Sequence, residues 1–391
     1  MTFLDLDYGY FNTNSFQKRL LEKVNQAIPS TARLISNANR WILTSALQKL
    51  VRRGRSVEAK AVALALHDLD PEYLRRRLPI IAMEDISIGD IETCCEVISL
   101  CSYSHWWKSN PVSTIACAVE SLSLAIKSRS ACDAFCLTET ASTRKNIEAE
   151  FLNLDKHRLV DIAVDDKNGH LRQLMALRVL GGISRRERGS YRTIVPIDYQ
   201  SLQAVCNQLQ LPPAVRWLVS QQRKTGGMSA MLPVVWRLAS DFLVKQSQPF
   251  PHSLEMIEGI PLCSLDMYTQ SGKKVLQKFV GTNSEIQDVV WPLVDGAAQP
   301  LLNLAMFQIE SSLLDRYVWT PGIEKLHESI ESAELMDLGL RAAESRIVVC
   351  QVLRQNASEL GQLRRHELSM LNRIQTASQT TQMRLSFHDD A

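Results

Sequence analysis

The side chains best suited to chemistry here are an adjacent acid pair, Glu84-Asp85, nine cysteines, eight histidines and several clusters of arginine or lysine. Two carboxylates can share a proton or hold a magnesium ion when they face one another. Adjacent residues on a helix do not face each other, so one site using both Glu84 and Asp85 is not expected. The cysteines (Cys94, Cys95, Cys101, Cys117, Cys132, Cys136, Cys206, Cys263 and Cys350) form no Cys-x2-Cys pair, and no two histidines stand at metal-ligand spacing. No metal and no cofactor are therefore expected. An odd number of cysteines behind a start that lacks a basic secretory region fits reduced, buried thiols in a cytoplasmic protein. Asp161, Asp165 and Asp166 lie just before Gly169, but Val164 occupies the first ligand position of a calcium loop, which leaves a solvated turn. Gly272-Lys273 is the one Gly-Lys pair, and it has neither the upstream glycine nor the following Ser/Thr of a phosphate-binding loop. With no nucleophile elbow and no zinc-protease motif, the expectation is a protein that is not an enzyme.

The basic clusters point to phosphate contact instead. Arg52, Arg53 and Arg55 surround Gly54. Arg185, Arg186, Arg188 and Arg192 surround Gly189 beside Tyr191, and Lys273, Lys274 and Lys278 follow Gly272. A net charge of +2 excludes a surface that grips nucleic acid everywhere and leaves room for local patches. The Arg185–Arg192 segment is the preferred one, because it breaks the helical texture and carries the most charge.

The elements that must position these groups are helices. At 391 residues, 45% hydrophobic and 22% charged, the chain can bury a sizeable core in more than one domain. Apolar residues recur at helical spacing in Phe16–Val24, Leu34–Leu50, Val57–Ala65 and Ile115–Ala125. Asp70-Pro71 and Asn110-Pro111 read as helix starts, and Asp90 and Asp198 as N-caps. The reading is mainly all-α and multi-helical. It comprises an N-terminal arm and helix over 1–44, a helical domain over 45–190, and a second helical domain over 198–391 with a long C-terminal helix and a mobile tail from Thr376. At most a small β element is expected near 191–197, where Thr193-Ile194-Val195 is strand-like. A helix is expected over 229–245. The C-terminal block has a stripe of Leu335, Leu338, Ile347, Leu353, Leu360, Leu363, Leu368 and Leu371 between charged positions, suited to packing against another chain. No stretch is apolar enough to span a membrane.

A family resemblance is carried by three segments in order. The first is Ala59–Leu66, then Asp70-Pro71-Glu72-Tyr73-Leu74-Arg75-Arg76-Arg77-Leu78, then Ala82-Met83-Glu84-Asp85-Ile86 and Asp90. The second ends Leu124-Ala125-Ile126-Lys127-Ser128-Arg129-Ser130-Ala131, and the third is Gly169-His170-Leu171-Arg172 with Leu174-Met175 and Leu180-Gly181. Residues from about 45 to 190 thereby resemble the C-terminal helical region of the replication-associated recombination protein A family, clamp-loader-like AAA+ ATPases, without the ATPase core. Ser87 stands where that family prefers glycine. The resemblance implies a clamp-loader-collar-like fold and a habit of assembly, with Asp70, Pro71, Arg76, Arg77, Glu84 and Asp85 as structural or assembly residues. Arg76 or Arg77 is expected to pair with Glu84 or Asp85.

Together these readings describe a non-catalytic accessory protein of DNA replication, recombination or repair. It would form a homo-oligomer and bind single- or double-stranded DNA or a replication or repair protein. The alternative is a pure protein–protein adaptor, working with an ATPase supplied in trans, whose anchors would be Trp106-Trp107 and the Tyr8-Tyr10-Phe11 arm.

Overall fold

A computed structural model describes the chain apart from residues 1–10, 12, 31–37, 188–189, 240–242, 247–253, 291, 293–297, 340–342 and 387–391, and apart from the side chains of 186–187, 190–191, 298, 343–346 and 372–386. The fold is all-α in the main. Among the described residues the strands form three antiparallel pairs: β1 (Ile183–Glu187) with β2 (Ser190–Val195), β3 (Leu243–Gln246) with β6 (Arg316–Trp319), and β4 (Met256–Ile257) with β5 (Ile260–Pro261). The strand expected near 191–197 is thus half of a hairpin.

The chain divides into two compact units, and neither is continuous. One comprises residues 1–29, 72–247 and 314–337, the other 30–71, 248–313 and 338–391. This replaces the linear order 1–44, 45–190 and 198–391 expected from the sequence. Apolar periodicity identifies the face a helix buries and says nothing of which distant segment covers it.

In the first unit the short-range signals hold. Thr13 accepts from Phe16 N–H to start the Asn14–Gln26 helix, which buries Phe16, Leu20 and Val24. Asp90 caps Ile91–Ser102 through Thr93 N–H at 2.9 Å, and Asp198 caps Tyr199–Gln208 through Ser201 N–H at 3.1 Å. The Ile91–Ser102 helix is buried almost all round, so its cysteines are core residues. Burial pushes the Cys94 and Cys95 thiols well up and Cys117 to about 11. Trp106 and Trp107, offered above as exposed anchors, are buried, and Trp107 Nε1 donates to Leu100 O at 2.9 Å. Phe11 is likewise buried, its ring against Phe16 and Trp217, while Tyr8 and Tyr10 lie outside the described residues.

The helix expected over 229–245 ends at Leu238. There Thr320 Oγ1 donates to Leu238 O at 2.7 Å and Gly322 packs so closely that a Cβ would lie 2.9 Å from the same oxygen. Residues 243–246 then pair with 316–319, and Lys127 bridges to Tyr317 on the other side of β6.

In the second unit the Arg40–Arg52 helix lies on Ser56–Leu69, and Gln270–Thr282 lies on Ala357–Ser386. A buried ion pair, Lys49 Nζ to Asp266 Oδ2 at 2.5 Å, ties the first of these helices to the turn before Gln270. The C-terminal block is three helices, Pro321–Asp337 in the first unit and Ala343–Gln355 and Ala357–Ser386 in the second, and the last is helical through most of the tail expected to be mobile. Leu335, Leu353, Leu360 and Leu368 are buried within the chain, so much of the stripe proposed as an intermolecular seam is already covered.

Candidate functional site

Two charged regions of the first unit merit comparison, and the first is built around Glu84-Asp85. The Pro71–Ile81 helix carries Pro79 in its last turn, which lacks a backbone donor and loosens the ladder there. The backbone then widens into a π-helical turn, Ala82–Ile86, and tightens into a 3-10 turn, Ser87–Gly89. Ser87 absorbs the reversal at φ 45° and ψ −125°, a conformation natural to glycine. Its hydroxyl is buried without a hydrogen-bond partner.

The π turn gives the two acids different hydrogen-bond partners, although Arg129 Nη1 also lies 4.0 Å from Glu84. Glu84 receives Arg77 Nη2 at 3.0 Å, one of the pairings expected, while Arg76 is exposed. Asp85 is fully buried, accepts Arg129 Nη1 at 3.2 Å through its carboxylate, and accepts Ser128 N–H at 2.9 Å through its carbonyl. The first two segments that carry the family resemblance therefore meet at Asp85–Arg129. The chain of charges continues through Asp133, 4.0 Å from Arg129, to His327 at 3.1 Å and Glu331 at 3.4 Å. Hydrogen bonds to Asp133 and then Glu331 raise the His327 pKa to about 10. Burial, and next the Asp133 charge, raises Glu334 to about 7. Among the described residues no group of three His, Cys, Asp or Glu is placed to hold a metal ion. The network clamps the π turn to the Ser130–Glu139 and Pro321–Asp337 helices. Sequence reading missed Arg129, Asp133, His327 and Glu331, because nothing local marks partners so far apart. Asp70 ends the preceding helix through its N–H on Leu66 O at 2.8 Å, and its carboxylate takes Arg40 Nη1 at 2.7 Å.

The second region is the β1–β2 hairpin. It leaves the Gly169–Leu180 helix through Gly181-Gly182, and Gly182 takes φ +86°, where a Cβ would press on Ile197 and Val195 O. A bulge after Ile183 sets the register, pairing Arg185 with Arg192, Arg186 with Tyr191 and Glu187 with Ser190. Directly opposed residues of an antiparallel pair share a face, so Arg185 and Arg192 stand side by side. Arg192, Thr193 and Ile194 are exposed. At the base of the ribbon Arg185 pairs with Glu148, and Arg144 Nε approaches the same carboxylate at 3.5 Å. One buried acid thus serves two arginines, and Lys145 is exposed beside them. Arg144 and Lys145 lie in another π turn, Arg144–Glu148, and were not picked out in the sequence. The Arg186 side chain and the whole of Arg188 lie outside the described residues.

The remaining clusters behave differently. Arg52 is buried and donates to Ser311 O at 2.6 Å, so it is a packing residue and not a phosphate contact. Arg53 is half-buried and donates to Lys49 O and Glu310 O, while Arg55 is exposed and paired with Glu58. Lys273, Lys274 and Lys278 form the exposed face of the Gln270–Thr282 helix, opposite buried Val275, Leu276 and Phe279. No helix among the described residues is long and apolar enough to cross a membrane. No protein-family model, curated protein or solved structure matches the chain.

Proposed function

We propose that this chain is a non-catalytic accessory protein of DNA metabolism that self-associates and binds DNA through the β1–β2 hairpin and its base. The observation that carries the reading is the pairing of Arg185 with exposed Arg192 across the ribbon, with Arg144 and Arg185 sharing Glu148. A two-stranded ribbon fits the major groove, and arginines on one face of it meet phosphate or guanine edges. The test is a mobility-shift titration on single- and double-stranded DNA over a range of salt, with light scattering for mass. Affinity should fall steeply with salt, and Arg185→Gln with Arg192→Gln should weaken it on every sequence. Equal binding by that double variant removes the hairpin from the reading.

A second reading, the protein–protein adaptor, draws support from β3. All four of its residues are exposed, with Leu243 at 61% and Val244 at 48%, and an apolar edge strand is a template for another strand. Loss of partner capture in Leu243→Lys with Val244→Lys, with DNA binding intact or absent, favours this reading.

A further inference from the structure

The DNA-binding proposal leaves one basic cluster unused, the lysines of the Gln270–Thr282 helix in the second unit. Lys273, Lys274 and Lys278 are exposed, and among the described residues their side chains make no ion pair. Other partly exposed cations are neutralised from within the chain: Arg55 by Glu58, Arg172 by Glu150 and Arg365 by Glu255. No acidic residue stands between Asp266 and Glu285 in the sequence. Asp266 is itself buried against Lys49, and Glu359 meets the helix at its far end, where it accepts from Thr282 and Asn283. Three like charges thus share one helix that has no acid of its own.

The stability of the helix does not account for that arrangement. Lys274 and Lys278 stand four residues apart, about 6 Å along the axis, where like charges repel. The Lys273 N–H closes the first turn on Thr269 O at 3.0 Å, and a cation at that end works against the helix dipole. Packing does not account for it either, because the helix buries its other face through Val275, Leu276 and Phe279. Gln277 and Gly281 lie between the lysines on the exposed arc, and a Cβ on Gly281 would touch nothing within 4 Å. The face is cationic, open and free of large apolar side chains.

We propose that this face is a second nucleic-acid contact, taking the phosphate backbone of duplex DNA without sequence preference. The inference rests on the reading of DNA as the partner, and not on the hairpin as its site. An ammonium on a flexible stem is a point charge that follows phosphate and reads no base edge. Anionic lipid is disfavoured, because a helix lying in a membrane surface needs a free apolar face and this one buries its own in the core. An acidic protein is disfavoured, because protein interfaces form around apolar and aromatic anchors and are depleted in lysine.

The test is a salt series of binding to a short DNA duplex, by the full chain and by Lys273→Gln combined with Lys274→Gln and Lys278→Gln. Glutamine has nearly the helix propensity of lysine, so the triple variant should melt as the wild type does. It should lose roughly tenfold or more in affinity at about 0.1 M salt, and flatten the logarithmic salt slope by about 0.9 for each lysine in contact. The loss should be the same on unrelated sequences and should add to that of Arg185→Gln with Arg192→Gln. Arginine at the three positions should keep both affinity and slope. Unchanged affinity and slope in the glutamine variant, where the wild type binds, overturn the lysine face and leave the hairpin reading standing. No binding by the wild-type chain overturns both. A loss confined to vesicles of anionic phospholipid, with DNA binding unchanged, assigns the face to a membrane surface and overturns the proposal as well.

Discussion

The Glu84-Asp85 turn and the β1–β2 hairpin are built from the same residue types, arginine and acid, on either side of a non-standard helical turn. They differ in what surrounds them. At Asp85 the carboxylate is fully buried and Arg129 nearly so, and each charge has its partner within the protein. Among the described charged residues at the hairpin Glu148 is buried, while Arg144 and Arg185 about it reach solvent. The interior charges at Asp85 and Arg129 are already paired with one another, and separating them costs stability. Charges held at the surface cost little and stay within reach of a ligand. Arginine clusters in a sequence therefore say little about binding until burial is known, as Arg52 also shows.

The largest effect expected is at the buried end of this contrast. Asp85→Ala leaves Arg129 buried without its closest acid and should cost about 3–5 kcal/mol in urea unfolding. A loss below about 1 kcal/mol, the range of a surface pair, would erase the distinction. At the other end, Arg185→Gln with Arg192→Gln should cost only about 1 kcal/mol, because Arg144 stays beside the buried Glu148. The same variant should lower DNA affinity roughly tenfold and flatten its salt dependence by about 0.9 for each phosphate no longer neutralised. Retained binding together with a large loss of stability would reverse the two roles.

A smaller change sharpens the picture of the π turn. Ser87→Gly relieves a positive φ and removes a hydroxyl that lacks a partner. Thermal melts should then show a gain of about 1 kcal/mol, where an ordinary serine-to-glycine change inside a helical segment is destabilising. The pH dependence tests the same clamp from another side. Glu334 has a folded pKa raised to about 7, so its contribution is complete below about 4.5 and lost as pH rises through 7. His327 is raised to about 10, so its contribution is complete below about 6.5 and lost as pH rises through 10. These two groups should make stability decline from about pH 4.5 to about pH 10. Glu334→Gln should flatten the lower part of that decline and His327→Gln the upper part. Because His327 is half-exposed, salt should shrink its share. A profile identical in His327→Gln and wild type would remove His327 from the clamp.

What the sequence reveals follows the range of the interactions. The caps at Asp90 and Asp198 close over three residues, and Arg77 meets Glu84 seven residues away, about two helical turns. Such pairings follow from spacing. Asp85 and Arg129 are 44 residues apart and His327 and Asp133 are 194 apart, and no periodicity connects them. The β-branched run Thr193-Ile194-Val195 announces a strand, while its partner Ser184-Arg185-Arg186 reads as a charged loop. Ser87 is intermediate: the resemblance places glycine there, and the backbone at that position is one that glycine adopts without strain.

The alternation of the chain between its two units also bears on biosynthesis. The unit containing residues 1–29 and 72–247 waits for 314–337 to be made, and the other unit needs the segment after 337. Neither body can finish folding early in synthesis, and no contiguous piece of the chain contains either in full without also carrying part of the other. During that interval the faces awaiting Leu326, Ile330 or Leu360 remain uncovered, which makes the nascent chain a candidate for chaperone capture.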